Sequence, residues 1–137
     1  MNKPDFSLES RIALITGSST GIGYALAEGV AACGATVVLN GRDPSRLDLA
    51  VRRLAHEGGA VAGVAFDVTD PPAVIDGVAR IEREIGPVDI LVNNAGIARR
   101  KPFLDMGPDD WDVVLEANLT SAFRVTRTVA PGMVRRG

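Results

Sequence analysis

Residue types that build special sites are scarce in this sequence. Its 137 residues include one cysteine, one histidine, one tyrosine and one tryptophan. A lone thiol cannot form an internal disulfide, and Cys33 lies in a helix-like stretch where a small buried side chain is expected. With so few histidine and cysteine side chains, no metal-ligand cluster is predicted. The apolar runs are also short, which argues against a helix that spans a bilayer.

The chain also lacks a large excess of charge of either sign. Its formal net charge is −2 and its pI is near 5.3, which argues against a nucleic-acid partner or an anionic membrane surface. The opening residues, MNKPDFSLES, contain no apolar core of a signal peptide, so together with the single cysteine they favour a cytoplasmic protein. The remaining composition, 46% apolar and 23% charged, is typical of one globular domain.

Short apolar runs alternate with helix-like segments along most of the chain. The runs occupy residues 11–16, 36–40, 60–66 and 88–92, and they hardly alternate with polar residues, as expected of strands buried on both faces. Helical periodicity lies between them, at 22–33, 45–56 and 71–85. This order predicts the α/β class: repeated βαβ units on a doubly wound parallel sheet of Rossmann type, with about four strands.

A final segment, 108–133, has the spacing of a long helix. Residues at steps of three and four predict a single face. Its members are Trp111, Val114, Leu115, Asn118, Leu119, Ala122, Phe123, Thr126 and Val129. Asn118 is polar, and an unpaired amide in an apolar setting costs about 1–3 kcal/mol. Two interpretations stay open: a core asparagine whose hydrogen bonds are all made, or an asparagine that orders a site.

A glycine-rich loop follows the first predicted strand and opens the first predicted helix. In TGSSTGIGYALA, residues 16–27, Gly17, Gly21 and Gly23 lack the Cβ atoms that would block a tight turn and a close pyrophosphate. The start of a helix favours an anion because its first N–H groups are unpaired and the helix dipole is positive there. The alternative is that these glycines serve only the turn and the packing. No Gly-Lys-Ser/Thr follows, which excludes a Walker-type loop.

The end of the second predicted strand bears on the choice of cofactor. An NAD site usually has an acidic residue here for the ribose hydroxyls, whereas an arginine suits the 2′-phosphate of NADP. This chain has Asn40-Gly41-Arg42-Asp43, and the planar donors of Arg42 favour NADP over NAD. NAD stays the second choice because Asp43 is an acidic residue close to this position. The alternative is that Asp43 pairs with Arg42 or caps the next helix.

Four short motifs together resemble the short-chain dehydrogenase/reductase family. They are TGSSTGIG at 16–23, DV at 67–68, NNAG at 93–96 and the asparagine of EANLTSAF at 116–123. The resemblance covers essentially the whole chain from Leu8 to Gly137. It implies a sheet with strand order 3-2-1-4, and it makes residues 1–137 a single NAD(P)-binding Rossmann domain.

The resemblance also implies roles for individual residues. The cofactor phosphates would lie on a loop made of Gly17, Ser19, Thr20, Gly21, Ile22 and Gly23. Asp67 would accept a hydrogen bond from the adenine amino group, and Val68 would flank the ring. The ribose and nicotinamide would lie along Asn94, Ala95 and Gly96. Asn118 would fix a water in a catalytic proton relay. The alternative for NNAG is a turn that stabilises the sheet.

Further stretches are similar to the gluconate 5-dehydrogenase branch of that family. They are GIARRKPFLDM at 96–106, NGRDPSRL at 40–47, NLTSAF at 118–123 and VAPGM at 129–133. Arg99, Arg100 and Lys101 would follow the nicotinamide end, where three cations suit the carboxylate of a sugar acid. The alternative is an ordinary solvated loop. The implied substrate is an alcohol or ketone, and a sugar acid such as gluconate is one candidate.

The sequence departs from the family pattern in its catalytic residues. The family needs a tyrosine acid/base, a lysine four residues later and a serine that polarises the carbonyl. The only tyrosine is Tyr24, Glu28 stands four residues on, and no serine follows Ser121. We therefore expect that this chain is truncated before the Tyr-x-x-x-Lys segment and that it binds cofactor without activity. The truncation would leave an apolar edge strand and one face of the last helix uncovered.

Two functions from different classes stay open for the parent protein. The first is an NADP-dependent oxidoreductase that transfers a hydride between nicotinamide and an alcohol or ketone. The second is a nucleotide-binding sensor or assembly module without catalysis. By resemblance, the full-length form would be a homo-oligomer, a tetramer or a dimer, assembled through helix packing.

Overall fold

The computed structural model describes residues 6–137, in which strands and helices alternate from Ile12 to Val92. The first part comprises β1 (Ile12–Ile15), α1 (Gly21–Ala32), β2 (Thr36–Gly41), α2 (Pro44–His56), β3 (Val61–Ala65), α3 (Pro71–Glu84) and β4 (Ile90–Val92). A single 3₁₀ turn (Phe103–Asp105), α4 (Pro108–Leu115), a π-helical turn (Glu116–Thr120) and α5 (Ser121–Arg136) follow. Each strand and helix of the first part lies within a residue or two of its predicted position.

The strands form one parallel sheet in the order β3-β2-β1-β4, which confirms the predicted order. Ile12 of β1 is in register with Thr36 of β2, and Ala13 is in register with Ile90 of β4. The chain therefore builds outward from β1 in one direction through β3 and then returns to the other side of β1 with β4. In the described residues β4 is paired on one side only, which leaves the apolar edge that the sequence predicts.

Helices cover both faces of the sheet. Leu14 and Val38 point into a core with α3 and α5, whereas Ile15 and Leu39 point into a second core with α1 and α2. All four side chains are fully buried, because alternate residues of a strand face opposite sides and each side carries helices. The sheet is therefore doubly wound, as predicted.

Asp43 begins α2 as its N-cap. The Asp43 carboxylate accepts hydrogen bonds from the backbone N–H groups of Ser45 at 2.9 Å and Arg46 at 3.2 Å. Pro44 occupies the first helical position, where its missing N–H costs nothing. Of the roles considered for Asp43, the structure supports the helix cap.

The final segment differs from the sequence prediction. Instead of one helix with one apolar face, two helices flank the π-helical turn, and α5 buries Ser121, Val125, Val129 and Gly132. Trp111, Leu119 and Phe123 are each more than 60% exposed. Two features account for this. The π turn rotates α5 relative to α4, and within α5 Phe123 and Val129 are six residues apart, which places them about 120° apart around a regular helix.

Two further findings concern single features. Cys33 is free and half-buried, so it is less covered than expected. Among residues 6–137, no helix combines the length and the apolar character needed to cross a membrane.

Candidate functional site

A cleft of about 470 Å³ opens where the carboxyl ends of the four strands meet. In open α/β sheets this edge binds ligands at the point where the strand order reverses, which here lies between β1 and β4. The structure brings most of the predicted site residues together in the lining of the cleft. They are Gly17, Ser19, Thr20, Arg42, Asp67, Val68, Asn94, Ala95 and Gly96.

The glycine loop has two positions that only glycine fits. Gly17 has φ +62°, and a Cβ atom there would come within 2.7 Å of the Cα of Ala95. Gly23 packs beneath the loop, where a Cβ would overlap the side-chain nitrogen of Asn94. Gly21 has φ +61° but faces open space, with no atom within 4 Å of an added Cβ. The loop is therefore packed tightly from below and open above.

The N-terminus of α1 is left without a side-chain cap. Thr20 is the N-cap residue, yet its hydroxyl makes no capping hydrogen bond, and the first turn contains no acidic residue. The first N–H groups of a helix need a partner, and an anion is a suitable one. Gly21 and Ile22 lie on this first turn outside the lining of the cleft, and the Ile22 side chain is 77% exposed.

Asn94 of the NNAG motif ties β4 to the glycine loop. Its side-chain nitrogen donates hydrogen bonds to the carbonyls of Thr16 and Gly17, both at 3.0 Å. The Thr16 hydroxyl in turn accepts from the backbone N–H groups of Asn94 and Ala95 at 3.1 Å. The contacts of Asn94 and Ala95 therefore stabilise the turn after β4, and Thr16 is a partner that sequence reasoning missed.

Asn40 occupies a fully buried position under the loop. Its side-chain oxygen accepts from the Gly17 N–H at 3.3 Å, and its nitrogen donates to the carbonyls of Val64 and Phe66 at 3.2 and 3.1 Å. The Ser18 hydroxyl accepts from the Asn40 N–H at 3.0 Å. Sequence reasoning treated Asn40 only as a non-acidic residue, although an asparagine that closes an apolar strand is itself a signal of such a network.

Two charged groups face each other across the mouth of the cleft. The guanidinium of Arg42 lies 3.8 Å from the carboxylate of Asp67, and the Arg42 side chain is 70% exposed. Burial alone would raise the pKa of Asp67, but hydrogen bonds from the N–H and hydroxyl of Thr69, with the charge of Arg42, hold the pKa below its usual value. Arg46 adds a second cation to the lining of the cleft.

Asn118 lies in the π-helical turn and is exposed, so the core interpretation is wrong. Its side-chain oxygen accepts from the N–H of Ile97 at 2.7 Å, and its nitrogen donates to the Ile97 carbonyl at 3.0 Å. A Cβ on Gly96 would approach the same oxygen to 2.9 Å. Asn118 therefore orders the loop that follows the NNAG motif. Ile97 lines the cleft, whereas Asn118 itself, like Gly23, lies outside the lining.

Tyr24 is placed away from this chemistry. It is 6% exposed, it lines a neighbouring groove instead of the cleft, and the guanidinium of Arg53 covers its ring at 4.8 Å. Burial and the nearby carboxylates of Glu57 and Glu28 raise the pKa of Tyr24 against the opposing charge of Arg53. A phenol in this position cannot act as an acid or base on a ligand in the cleft.

The three cations after Gly96 differ in their surroundings. Lys101 is paired with Asp110 at 2.6 Å, and this hydrogen bond, with one from the Gly107 N–H, lowers the pKa of Asp110. Arg99 and Arg100 are exposed, and neither forms an ion pair within residues 6–137. Two of the three cations are therefore open to an external anion.

The doubly wound sheet defines the protein as a Rossmann-type α/β fold with a cleft at the strand ends. The family model described as short chain dehydrogenase matches residues 11–137. The chain belongs to the short-chain dehydrogenase family, as the motifs predicted.

Individual relatives agree with this assignment. The gluconate 5-dehydrogenase of Gluconobacter oxydans is 51% identical over 138 aligned residues, which cover 100% of this chain and 54% of the relative. A crystal structure of a gluconate 5-dehydrogenase from Burkholderia cenocepacia, in complex with NADP and tartrate, superposes with a TM-score of 0.91 at 42% identity, covering 96% of this chain and 52% of that one. The L-sorbose reductase of Gluconobacter frateurii, complexed with NADPH and L-sorbose, gives a TM-score of 0.89 at 40% identity, covering 97% and 51%. The chain spans about half the length of the curated relatives it matches.

Proposed function

We propose that this chain is the cofactor-binding part of an NADP-dependent oxidoreductase that acts on an alcohol or ketone. The observation that carries the proposal is the open glycine loop with the uncapped N-terminus of α1, which lies at the reversal of strand order. That combination supplies backbone N–H groups and a positive helix end without a side chain in the way. These features fit a pyrophosphate.

The residues around the loop fit the remaining parts of a dinucleotide. Arg42 would take the 2′-phosphate, Asp67 the adenine amino group, and Val68 one face of the ring. Asn94, Ala95 and Gly96 would lie along the ribose and nicotinamide. When bound, NADP would supply the hydride acceptor, and the contribution of this chain is to hold it across the sheet edge.

The preference for NADP over NAD rests on the end of β2. Asn40 is fully buried and its amide is committed to the backbone around it, so it offers nothing to a ribose hydroxyl. Asp43 is committed to capping α2. The charged donors at this corner are Arg42, 3.8 Å from the Asp67 carboxylate, and Arg46, 3.7 Å from the Asp43 carboxylate. Both side chains are largely exposed, so their remaining N–H groups can reach a phosphate, which an arginine fork suits. Two structural neighbours were solved with NADP or NADPH.

We further propose a sugar acid as the substrate of the full-length protein. Arg99 and Arg100 follow the proposed nicotinamide end directly and are open to a carboxylate. Relatives named as a gluconate 5-dehydrogenase and a 5-keto-D-gluconate 5-reductase support the same class. Asn118 would act in the proton relay from its turn beside the Ile97 backbone.

We propose that this chain binds cofactor but does not turn it over. Tyr24 is buried away from the cleft, and no other tyrosine is present in the sequence. A catalytic tyrosine and lysine would have to come from sequence outside these residues. The non-catalytic sensor is the competing proposal, and a longer coding sequence with a serine and Tyr-x-x-x-Lys would decide for the enzyme.

Cofactor binding is tested by titrating NADPH and NADH into this chain and into Arg42→Ala. We expect the unmodified chain to bind NADPH more tightly than NADH. Arg42→Ala should weaken the affinity for NADPH by about tenfold or more and leave the affinity for NADH almost unchanged, because one charged phosphate contact is lost. Arg52→Ala is the matched control, since Arg52 pairs with Asp48 on an exposed face of α2. Equal affinities for the two nucleotides in the parent would refute the NADP assignment, and no binding of either would refute the proposed function.

A homo-oligomer is the last part of the proposal. Trp111, Leu119 and Phe123 expose apolar surface along α4, the π turn and α5, and such exposed surface commonly marks an interface. Sedimentation of the full-length protein should show a dimer or tetramer, and Phe123→Lys should shift it toward smaller species. A full-length protein that sediments as a monomer at all concentrations would contradict the proposed oligomer.

A further inference from the structure

Arg124 connects α5 to the loop after β3. It lies in the first turn of α5, and its side chain is only 18% exposed. One terminal guanidinium nitrogen donates to the backbone carbonyl of Val68 at 2.9 Å, and the second terminal nitrogen donates to the Glu116 carboxylate at 2.7 Å. Both bonds involve a charged donor and are stronger than neutral hydrogen bonds.

The Val68 end of this contact belongs to the cleft. Val68 and Asp67 line it, and Asp67 is held by Thr69 within the same short loop. The bonds from Thr69 are local, whereas Arg124 reaches Val68 from 56 residues away. Arg124 therefore fixes this wall of the cleft relative to the rest of the fold.

The Glu116 end belongs to the π-helical turn. Glu116 begins the turn that carries Asn118, and Asn118 holds both backbone groups of Ile97 at the opposite wall of the cleft. Glu116 fixes the direction of the Arg124 side chain, because a planar guanidinium can serve two acceptors only in one orientation. The two walls are thus connected through one arginine.

Resting on the proposed function, we propose that Arg124 is a positioning residue for the adenine end of the cofactor. It sets the place of the Asp67–Val68 wall without touching the nucleotide, and Glu116 orients it. Without the guanidinium, the Val68 carbonyl loses its donor and the loop after β3 becomes more mobile. The wall formed by Asp67 and Val68 is then no longer held in the position that fits the adenine end. A lysine reaches one acceptor but not both, and so restores only part of the effect.

The test compares Arg124→Met, Arg124→Lys and Glu116→Gln with the parent chain. Titration with adenosine 2′,5′-bisphosphate reports on the adenine end. We expect the affinity for the bisphosphate to fall about tenfold in Arg124→Met and about threefold in Arg124→Lys. In Glu116→Gln it should fall by less than in Arg124→Met. Arg127→Met is the matched control on the same helix, because Arg127 is exposed and its guanidinium lies over the ring of Phe123, at 5.9 Å.

Hydrogen exchange separates positioning from general loosening. In Arg124→Met and Arg124→Lys the amides of residues 67–70 should exchange faster, while those of β1 and β2 keep the parent rates. Unchanged affinity in Arg124→Lys and Glu116→Gln would overturn the inference, as would exchange that rises equally throughout the sheet. If the parent chain binds neither NADPH nor the bisphosphate, the proposed function fails and this inference fails with it. If the parent binds and the variants bind equally well, only the inference fails.

Discussion

The side-chain nitrogen of Asn94 lies 3.0 Å from the backbone carbonyl of Gly17, across 77 positions of sequence. This hydrogen bond joins the end of β4 to the loop that follows β1. The conformation of the glycine loop therefore depends on a strand from the other half of the chain, and changes at either end should be felt at the site.

Asn94→Ala should destabilise the fold by about 1–3 kcal/mol, because the carbonyls of Thr16 and Gly17 both lose their donor in a half-buried place. Urea unfolding measures the loss. The neighbouring Asn93→Ala is the control: Asn93 is exposed and its side chain donates to Thr126 alone, so we expect a change within about 0.5 kcal/mol. Equal effects of the two substitutions would contradict the role given to Asn94.

Gly17→Ala should cost more than Gly58→Ala. Both glycines have positive φ, +62° and +89°, so each substitution carries a backbone penalty of about 1–2 kcal/mol. A Cβ at Gly58 meets nothing within 4 Å, whereas one at Gly17 meets the Ala95 backbone at 2.7 Å. Overpacking adds about 1–3 kcal/mol at Gly17 alone. Thermal unfolding of both variants checks the difference, and NADPH binding should be lost only in Gly17→Ala.

Asn40→Ala should destabilise the protein by about 3 kcal/mol or more, because it leaves the Gly17 N–H and two buried carbonyls without a partner. Ser18→Ala removes a smaller part of the same network. The losses should not add in the double variant, since both residues belong to one set of hydrogen bonds. A double-mutant cycle by urea unfolding measures this, and strictly additive losses would argue against a shared network.

The stability contributed by Asp67 should depend on pH. Its folded-state pKa lies below the ordinary value of 3.8, so the carboxylate stabilises the fold above that value and loses its effect as the pH falls through the lower, folded pKa. The difference in unfolding free energy between the parent and Asp67→Asn should be constant from pH 7 to pH 5 and should shrink below pH 4. A difference that grows on acidification would have the wrong sign for this assignment.

The sequence predicted the sheet well because its strands are buried on both faces. The two runs that contain Leu14 and Val38 have no polar face that would obscure the strand pattern, and the glycines and prolines between the runs mark the helix ends. The predicted stripe on the last segment was only partly correct, for two reasons. A π turn between α4 and α5 leaves no clear trace in the spacing of apolar residues, and six residues within α5 separate Phe123 from Val129 by about 120° around a regular helix. Phe123 was assigned to the same face as Val129, yet only Val129 is buried.

The sequence predicted which residues lie at the candidate site better than it predicted the contacts between them. The glycines, Asp67 and Asn94 were found from motifs that describe what a ligand needs. Arg124 was missed as a site partner because its acceptors lie in other elements, which no local pattern encodes. Asn40 carries a local signal as a polar end to an apolar strand, but its partners at Gly17, Val64 and Phe66 are distant in sequence. Residues that belong to a short motif could be predicted, whereas contacts between residues far apart in the sequence could not.

The short strand β4 has a thermodynamic consequence for the loop that Asn94 holds. β4 spans Ile90–Val92, is half-buried and is paired on one side within the described residues, so it belongs to the elements that open most easily in local unfolding. When β4 frays, the Asn94 amide leaves the carbonyls of Thr16 and Gly17, and the glycine loop loses its shape. A ligand that requires the intact loop then holds β4 closed by mass action, to an extent of RT ln(1 + [L]/Kd). Occupancy of the cleft and the integrity of this sheet edge are thus one linked equilibrium.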